Sequence, residues 1–323
     1  MKALIVVPTH DSAQYIELSL MKYMFELDLL KKHYPDSEML VVANGKRRLQ
    51  TQKVLETALE TFKDRKDCFV AISEQGKNNA INHAIKYARR HGFDAIHLLD
   101  DDVSLKVGSV HKNCEWLFYP GGKTTVVGSK FKVSEVSVAD MIKKYGVFGG
   151  LRSFFWRTVF SIPYGRGNEI KTCSGQSICF SPYLLDEIPN YVADDAYICL
   201  QALKKGGSRF KIEQPLGSVV YFEPAHSLKS WYAQKLRTAL AISESLNQQG
   251  FEDVEYRLAH KFSYFKRHRT PLLGSGYPLM MLPTALLFKL LLSAIERDVC
   301  ALEDAKIKDI GWNAVKESKP NKL

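Results

Sequence analysis

Glycine-rich phosphate loops are missing from this chain of 323 residues. No G-x-G-x-x-G follows the opening apolar run and no G-x-x-x-x-G-K-[ST] occurs at any position, so dinucleotide oxidoreductases and P-loop enzymes fit poorly. Cysteine is sparse. Cys68, Cys114, Cys173, Cys179, Cys199 and Cys300 form no C-x-x-C pair and no metal-site spacing, which reads as reduced, mostly buried thiols of an intracellular protein. Internal repeats and low-complexity segments are absent too. The run Ala3 to Val7 is too short for a signal peptide and lacks a cleavage site, so a first strand is expected there.

What remains is ordinary globular material, 46% hydrophobic and 25% charged, long enough for one large domain or two. The net charge of +10 suits an anionic partner: nucleic acid, a phospholipid surface or a phosphorylated substrate. No recognition-helix signature or aromatic-basic RNA motif is present and the basic residues are scattered, so no nucleic-acid partner is expected.

Apolar runs and helical spacings alternate through the first half. Strands are expected at 3–7, Met39 to Ala43, Cys68 to Ile72 and Asp94 to Leu99. Helices are expected from Asp11 or Ser12 to about Leu30, from Leu49 to Phe62, and from the Gly76-Lys77 region to about Arg90. Strand and helix alternating about every thirty residues predicts an α/β fold, with a parallel sheet covered on both faces.

The fourth strand ends in Asp100-Asp101-Asp102. Side chains alternate along a strand, so Asp100 and Asp102 share a direction that Asp101 does not. Three carboxylates this close repel one another unless a cation lies between them. Two oxygen donors two residues apart suit Mg²⁺ or Mn²⁺. Ligands of open α/β sheets bind outside the carboxyl ends of the strands, where this triplet falls. A solvated acidic turn is the plainer alternative.

Val7-Pro8-Thr9-His10, Gly76-Lys77-Asn78-Asn79-Ala80-Ile81-Asn82 and Leu99-Asp100-Asp101-Asp102 together resemble the motifs of family 2 glycosyltransferases in order and spacing. These are inverting enzymes with a GT-A nucleotide-sugar-binding fold. The resemblance implies that Asp100 and Asp102 form a D-x-D element holding Mg²⁺ or Mn²⁺ on the donor diphosphate. It also implies Lys77 near the phosphates, and Pro8, Thr9, Asn44 and Glu74 around the nucleoside of a UDP-sugar. Many members carry aspartate where this chain has Asn44, whose side-chain oxygen can still accept a hydrogen bond.

In the second half a strand is expected at Thr124 to Val127, and a short helix near Pro182 to Ile188. The family resemblance implies that a glycine and a following strand just before it shape the acceptor side. Apolar residues at Ala196, Cys199, Leu200 and Leu203 predict a helix with Asp194 and Asp195 in its first turn, where capping alone would favour acid. An acceptor hydroxyl is a poor nucleophile until it loses its proton, so sugar transfer needs a base. The pair resembles the family's acidic element, implying Asp195 as base and Asp194 as its support. Residues 151–160 mix aromatics with arginines, which fits a membrane-facing stretch, a cover over the active site, or core packing.

Val219 to Pro224 reads as a strand, with a long helix from His226. On it Gln234 and Arg237 resemble a Q-x-x-R-W element and share one helical face, where Arg237 would grip the diphosphate. Thr238 stands in the tryptophan position, which points to a single transfer rather than processive synthesis. Beyond lie a basic cluster at Lys261, Lys266, Arg267, His268 and Arg269 and the apolar stretch 277–295. A spanning helix there would bury Lys289 at a cost of about 2.5–3.5 kcal/mol. A helix lying on an anionic membrane surface and a helix buried against the catalytic domain both remain open.

The expected organisation is a GT-A domain over 1–240, with a donor half at 1–128 and an acceptor half at 129–240. A helical region, membrane-associating or packed, follows at 241–323. The expected location is cytoplasmic, or peripheral on the cytoplasmic membrane face. The expected reaction moves a hexose or N-acetylhexosamine to a glycan or lipid-linked acceptor. The alternative is a non-catalytic nucleotide-sugar-binding or assembly protein of the same fold.

Overall fold

The computed structural model describes residues 1–11, 16–60, 65–119, 124–133, 137–161, 169–170, 173, 175–190, 192–206 and 211–222, and singly 229, 232–234, 236, 290 and 294. The first half runs β1 (Ala3–Thr9), α1 (Ile16–Lys31), β2 (Glu38–Ala43), α2 (Arg48–Glu60), β3 (Cys68–Ile72), α3 (Lys77–Arg90) and β4 (Ala95–Leu99). Then come β5 (Ser104–Leu105), α4 (Ser109–Phe118), β6 (Thr124–Gly128), β7 (Lys130–Val133), α5 (Val138–Ser161), β8 (Glu169–Ile170), β9 (Ser177–Phe180), α6 (Asp194–Gly206), β10 (Lys211–Glu213) and β11 (Val219–Phe222). The chain divides into two compact units, 1–132 with 164–222, and 133–163 with 223–323.

The first unit is built on an eight-stranded sheet of order β3-β2-β1-β4-β9-β6-β10-β8. Alternate residues of β1 and β4 serve opposite faces. Leu4, Val6, Ile96 and Leu98 pack with Ala80, Ala84 and Ala88 of α3, whose four-residue repeat of small side chains lets the helix lie close to the sheet. Ile5, Val7, Ala95 and Leu99 pack with Leu20 and Leu27 of α1 and Val110 of α4. Each buried Leu, Ile or Val contributes about 1.5–3 kcal/mol. Strands covered on both sides therefore read as unbroken apolar runs.

β1, β2, β3 and β4 are parallel, but β9 enters antiparallel between β4 and β6. The sheet is mostly parallel, as a GT-A fold implies. Because β9 runs backwards, its first residue Ser177 pairs with Leu99, the last residue of β4. The segment entering β9 is thereby set beside the acidic triplet. β5, β11 and β7 make a second, three-stranded sheet.

No helix forms over 182–188; that stretch is turns. Its backbone groups are held from α3 instead. Asn82 donates to the Ile188 carbonyl at 2.9 Å and accepts from the Ile188 amide at 2.7 Å. Asn78 donates to the carbonyls of Pro189 and Val192, and Arg89 to those of Pro182 and Leu185. External partners satisfy the groups that a helix would have satisfied internally.

In the second unit, α5 covers the whole stretch of mixed aromatics and arginines and breaks at Gly146, whose φ of 73° is left-handed. No helix among the described residues is long and apolar enough to cross a membrane. The basic cluster at 261–269 lies outside the described residues, as does 277–295 apart from Leu290 and Ala294.

Candidate active site at the strand tips

Parallel strands in the order β3-β2-β1-β4 place their carboxyl ends in one row. Glu74 follows β3, Asn44 follows β2, Pro8 and Thr9 close β1, and Asp100 follows β4. Three interstrand steps of ~4.8 Å make a row roughly 14 Å long, about the reach of a nucleoside diphosphate. Along it Glu74 is exposed, whereas Pro8, Thr9 and Asn44 are buried. Asn44 Oδ1 lies 3.1 Å from His10 Nδ1, and its carbonyl accepts from the Gly76 amide. Gly76 has φ 122°, a conformation open to glycine, and it delivers Lys77 as the first residue of α3.

The acidic triplet divides by burial. Asp101 is buried and accepts from Thr9 Oγ1 at 2.8 Å, Asp100 is half-buried, and Asp102 is exposed. β4 stops at Leu99, so the triplet forms a turn rather than a strand end. Tyr23 of α1 fixes that turn from the core by donating to the carbonyls of Asp100, at 2.6 Å, and Val103, at 3.0 Å. Burial, and then the neighbouring carboxylates, push the Tyr23 phenol well above its ordinary pKa, so it stays a donor.

Opposite the triplet stands the first turn of α6. Lys77 Nζ bridges the two acidic elements, 2.7 Å from Asp100 Oδ1 and 2.9 Å from Asp194 Oδ2. Burial works against the Lys77 charge, but Asp100 and then Asp194 outweigh it and raise its pKa. Asp195 does not cap its helix in the expected way. Its Oδ2 accepts from the Gly175 amide at 3.1 Å and its Oδ1 from the Ala196 amide at 2.8 Å. Burial and then the charge of Asp194 push its carboxyl up to about 6, against the pull of Lys77 and the two amides. Gly175 leaves room for this cluster: a Cβ there would stand 3.0 Å from Asp194 Oδ2 and 3.3 Å from Lys77 Nζ.

Carboxylate oxygens are the donors that a hard divalent cation takes. Asp100, half-buried, and Asp102, exposed, offer such oxygens two residues apart in the chain, while Asp101 is turned inward to Thr9. Asp100, Lys77, Asp194 and Asp195 are thus brought together. Gln234 belongs to the second unit, and Arg237 lies outside the described residues. The parts played by Tyr23, Asn78 and Asn82 emerge only from the structure. The four-residue spacing of the two asparagines was visible in the sequence, but their partners at 188–192 were not.

Residues 4–167, just over half of the chain, match the family model described as Glycosyl transferase family 2. The chain belongs to the family 2 glycosyltransferases. Among solved structures, S. aureus TarS 1–349 aligns over 94% of this glycosyltransferase and 83% of its own length, at 16% identity and a TM-score of 0.50. The same TarS fragment in complex with UDP-GlcNAc aligns at 17% identity over 94% and 84%, with a TM-score of 0.49. Glucosyl-3-phosphoglycerate synthase from Mycobacterium tuberculosis, in complex with Mn²⁺, UDP-Glc and phosphoglyceric acid, aligns at 14% identity over 78% and 81%, with a TM-score of 0.48. At such identities the first likeness speaks for the GT-A fold. No curated protein sequence matches the chain.

Proposed function

We propose that this family 2 glycosyltransferase moves a hexose or N-acetylhexosamine from a UDP-sugar to an acceptor hydroxyl with inversion, in a single transfer during glycan or glycolipid synthesis. The observation that carries the reading is Lys77, which ties Asp100 at the tip of β4 to Asp194 beside Asp195. A diphosphate group held at the strand tip and a base on α6 then share one cluster.

Asp195, held by the Gly175 and Ala196 amides, takes the proton of the acceptor hydroxyl as its oxygen attacks the anomeric carbon. The bond from that carbon to the diphosphate oxygen breaks, and the electron pair leaves with the nucleotide. Lys77 places a fixed positive charge where the diphosphate gains negative charge. Asp100 and Asp102 would hold Mg²⁺ or Mn²⁺, which supplies charge neutralisation to the diphosphate. Asp194 orients Lys77 and raises the basicity of Asp195.

Release of UDP from a panel of UDP-sugars, with Mn²⁺ and an acceptor mixture, tests the proposal. Asp195→Asn is expected to keep metal-dependent UDP binding by calorimetry while transfer falls by about 10²–10⁴-fold. Full transfer by Asp195→Asn would remove the assigned base. Donor binding with no transfer to any acceptor would favour a non-catalytic nucleotide-sugar-binding protein.

A further inference from the structure

A second cluster lies within the sheet, away from the strand tips and unused by the chemistry above. His97 of β4 and Cys179 of β9 are register partners, so they stand on the same face of the sheet. Cys114 of α4, which packs on that face, completes the group. All three side chains are fully buried. One nitrogen of the His97 ring and the two sulfurs all lie within 4.8 Å of one another.

We propose that His97, Cys114 and Cys179 form a structural site for Zn²⁺. Three observations carry this. The Cys114 and Cys179 sulfurs are 3.9 Å apart. Two sulfurs each ~2.3 Å from one tetrahedral zinc stand roughly 3.8 Å apart, so this pair already has the required separation. Inward movement of roughly 1 Å by the imidazole brings in the third donor, and the fourth position of the tetrahedron falls to a water carried in with the ion.

The second observation is a buried ring nitrogen with no hydrogen-bond partner. His97 Nε2 lies 3.0 Å from Ser177 Oγ and 3.4 Å from Asn113 Nδ2, whereas Nδ1 is buried with no hydrogen-bond partner. An orphaned imidazole nitrogen in a core is costly unless something partners it, and in the tautomer with its proton on Nε2 a metal ion can do so. The third observation is the support around the ring. Ser177 bonds Ser129, which also accepts from Asn113, and this neutral network holds a ligating imidazole by its other nitrogen.

Two thiolates and an imidazole are a soft donor set, which prefers zinc to the hard cations suited to Asp100 and Asp102. Binding converts two thiols to thiolates and releases two protons to solvent. Because all three ligands are enclosed, the ion enters as the chain folds. The cluster has no counterpart in cysteine spacing, since its donors come from three separate elements.

The test is metal analysis of the full chain purified from zinc-supplemented cells and dialysed against EDTA. About one equivalent of zinc is expected to survive dialysis and to be released on denaturation. Refolding with Co²⁺ is expected to give sulfur-to-cobalt charge-transfer absorption in the near ultraviolet, which carboxylate ligands do not produce. The band should persist in Asp100→Asn and weaken in both Cys114→Ser and Cys179→Ser, each of which should also lower metal affinity at least ~10-fold. If the serine variants do not fold, the wild-type measurements decide alone. Absence of both retained zinc and the cobalt band overturns the proposal. So does a Cys114–Cys179 disulfide in the metal-free protein, or zinc that is lost with Asp100→Asn and kept by Cys114→Ser.

Discussion

At the scale of single residues, the cluster of Lys77, Asp194 and Asp195 makes a signed prediction about pH. The proposed base Asp195 must be a carboxylate to act, and burial pushes its carboxyl up to about 6, so kcat/KM should fall on the acid side of that value, tenfold per pH unit. Asp194 pushes that value up and Lys77 pulls it down. Asp194→Asn should therefore move the acid limb to lower pH, and Lys77→Met should move it to higher pH, each read from a pH–rate profile. A purely structural pair would lower rates without moving the limb. Both variants are also expected to weaken donor binding, because Asp194 holds the Lys77 ammonium that the proposed mechanism sets against the diphosphate.

At the scale of elements, α3 serves two masters. Its apolar face packs on the sheet, while Asn78, Asn82 and Arg89 carry the backbone of 182–192, the approach to α6. Asn82→Ala would strand the amide and carbonyl of Ile188 and is expected to cost about 1–3 kcal/mol in urea unfolding. Transfer should fall further than stability explains, since α6 carries Asp194 and Asp195. The sequence makes β1 and the end of α3 legible because burial on two faces and helical spacing leave marks in the local pattern. It is silent on two other points for a physical reason. The run Ser177 to Phe180 is apolar whichever way it pairs, so nothing in it records that β9 lies antiparallel to β4. The segment 182–188 looks helical because its hydrogen-bond partners lie about a hundred residues away. The acidic triplet, Lys77 and the Asp194-Asp195 pair were visible as motifs, but the bridge between them was not.

At the scale of the whole molecule, a ligand that binds only the folded chain adds stability by mass action. UDP and Mn²⁺ together at about a hundred times their dissociation constant should add ~2.7 kcal/mol, seen as a rise of a few degrees in Tm. EDTA, or Asp102→Ala, is expected to abolish that rise without lowering the Tm of the free protein. The net charge of +10 does not alter this expectation, because the carboxylates at the strand tip set the local field.

Tyr23 links these scales. Its hydroxyl reaches out of α1 to two carbonyls of the acidic turn, so the outline of that corner is moulded by helix packing before any ion or nucleotide arrives. Detachment of the first helix and collapse of the corner are consequently one event. A chain that sheds α1, however intact its other strands, has no mould left in which to seat a pyrophosphate.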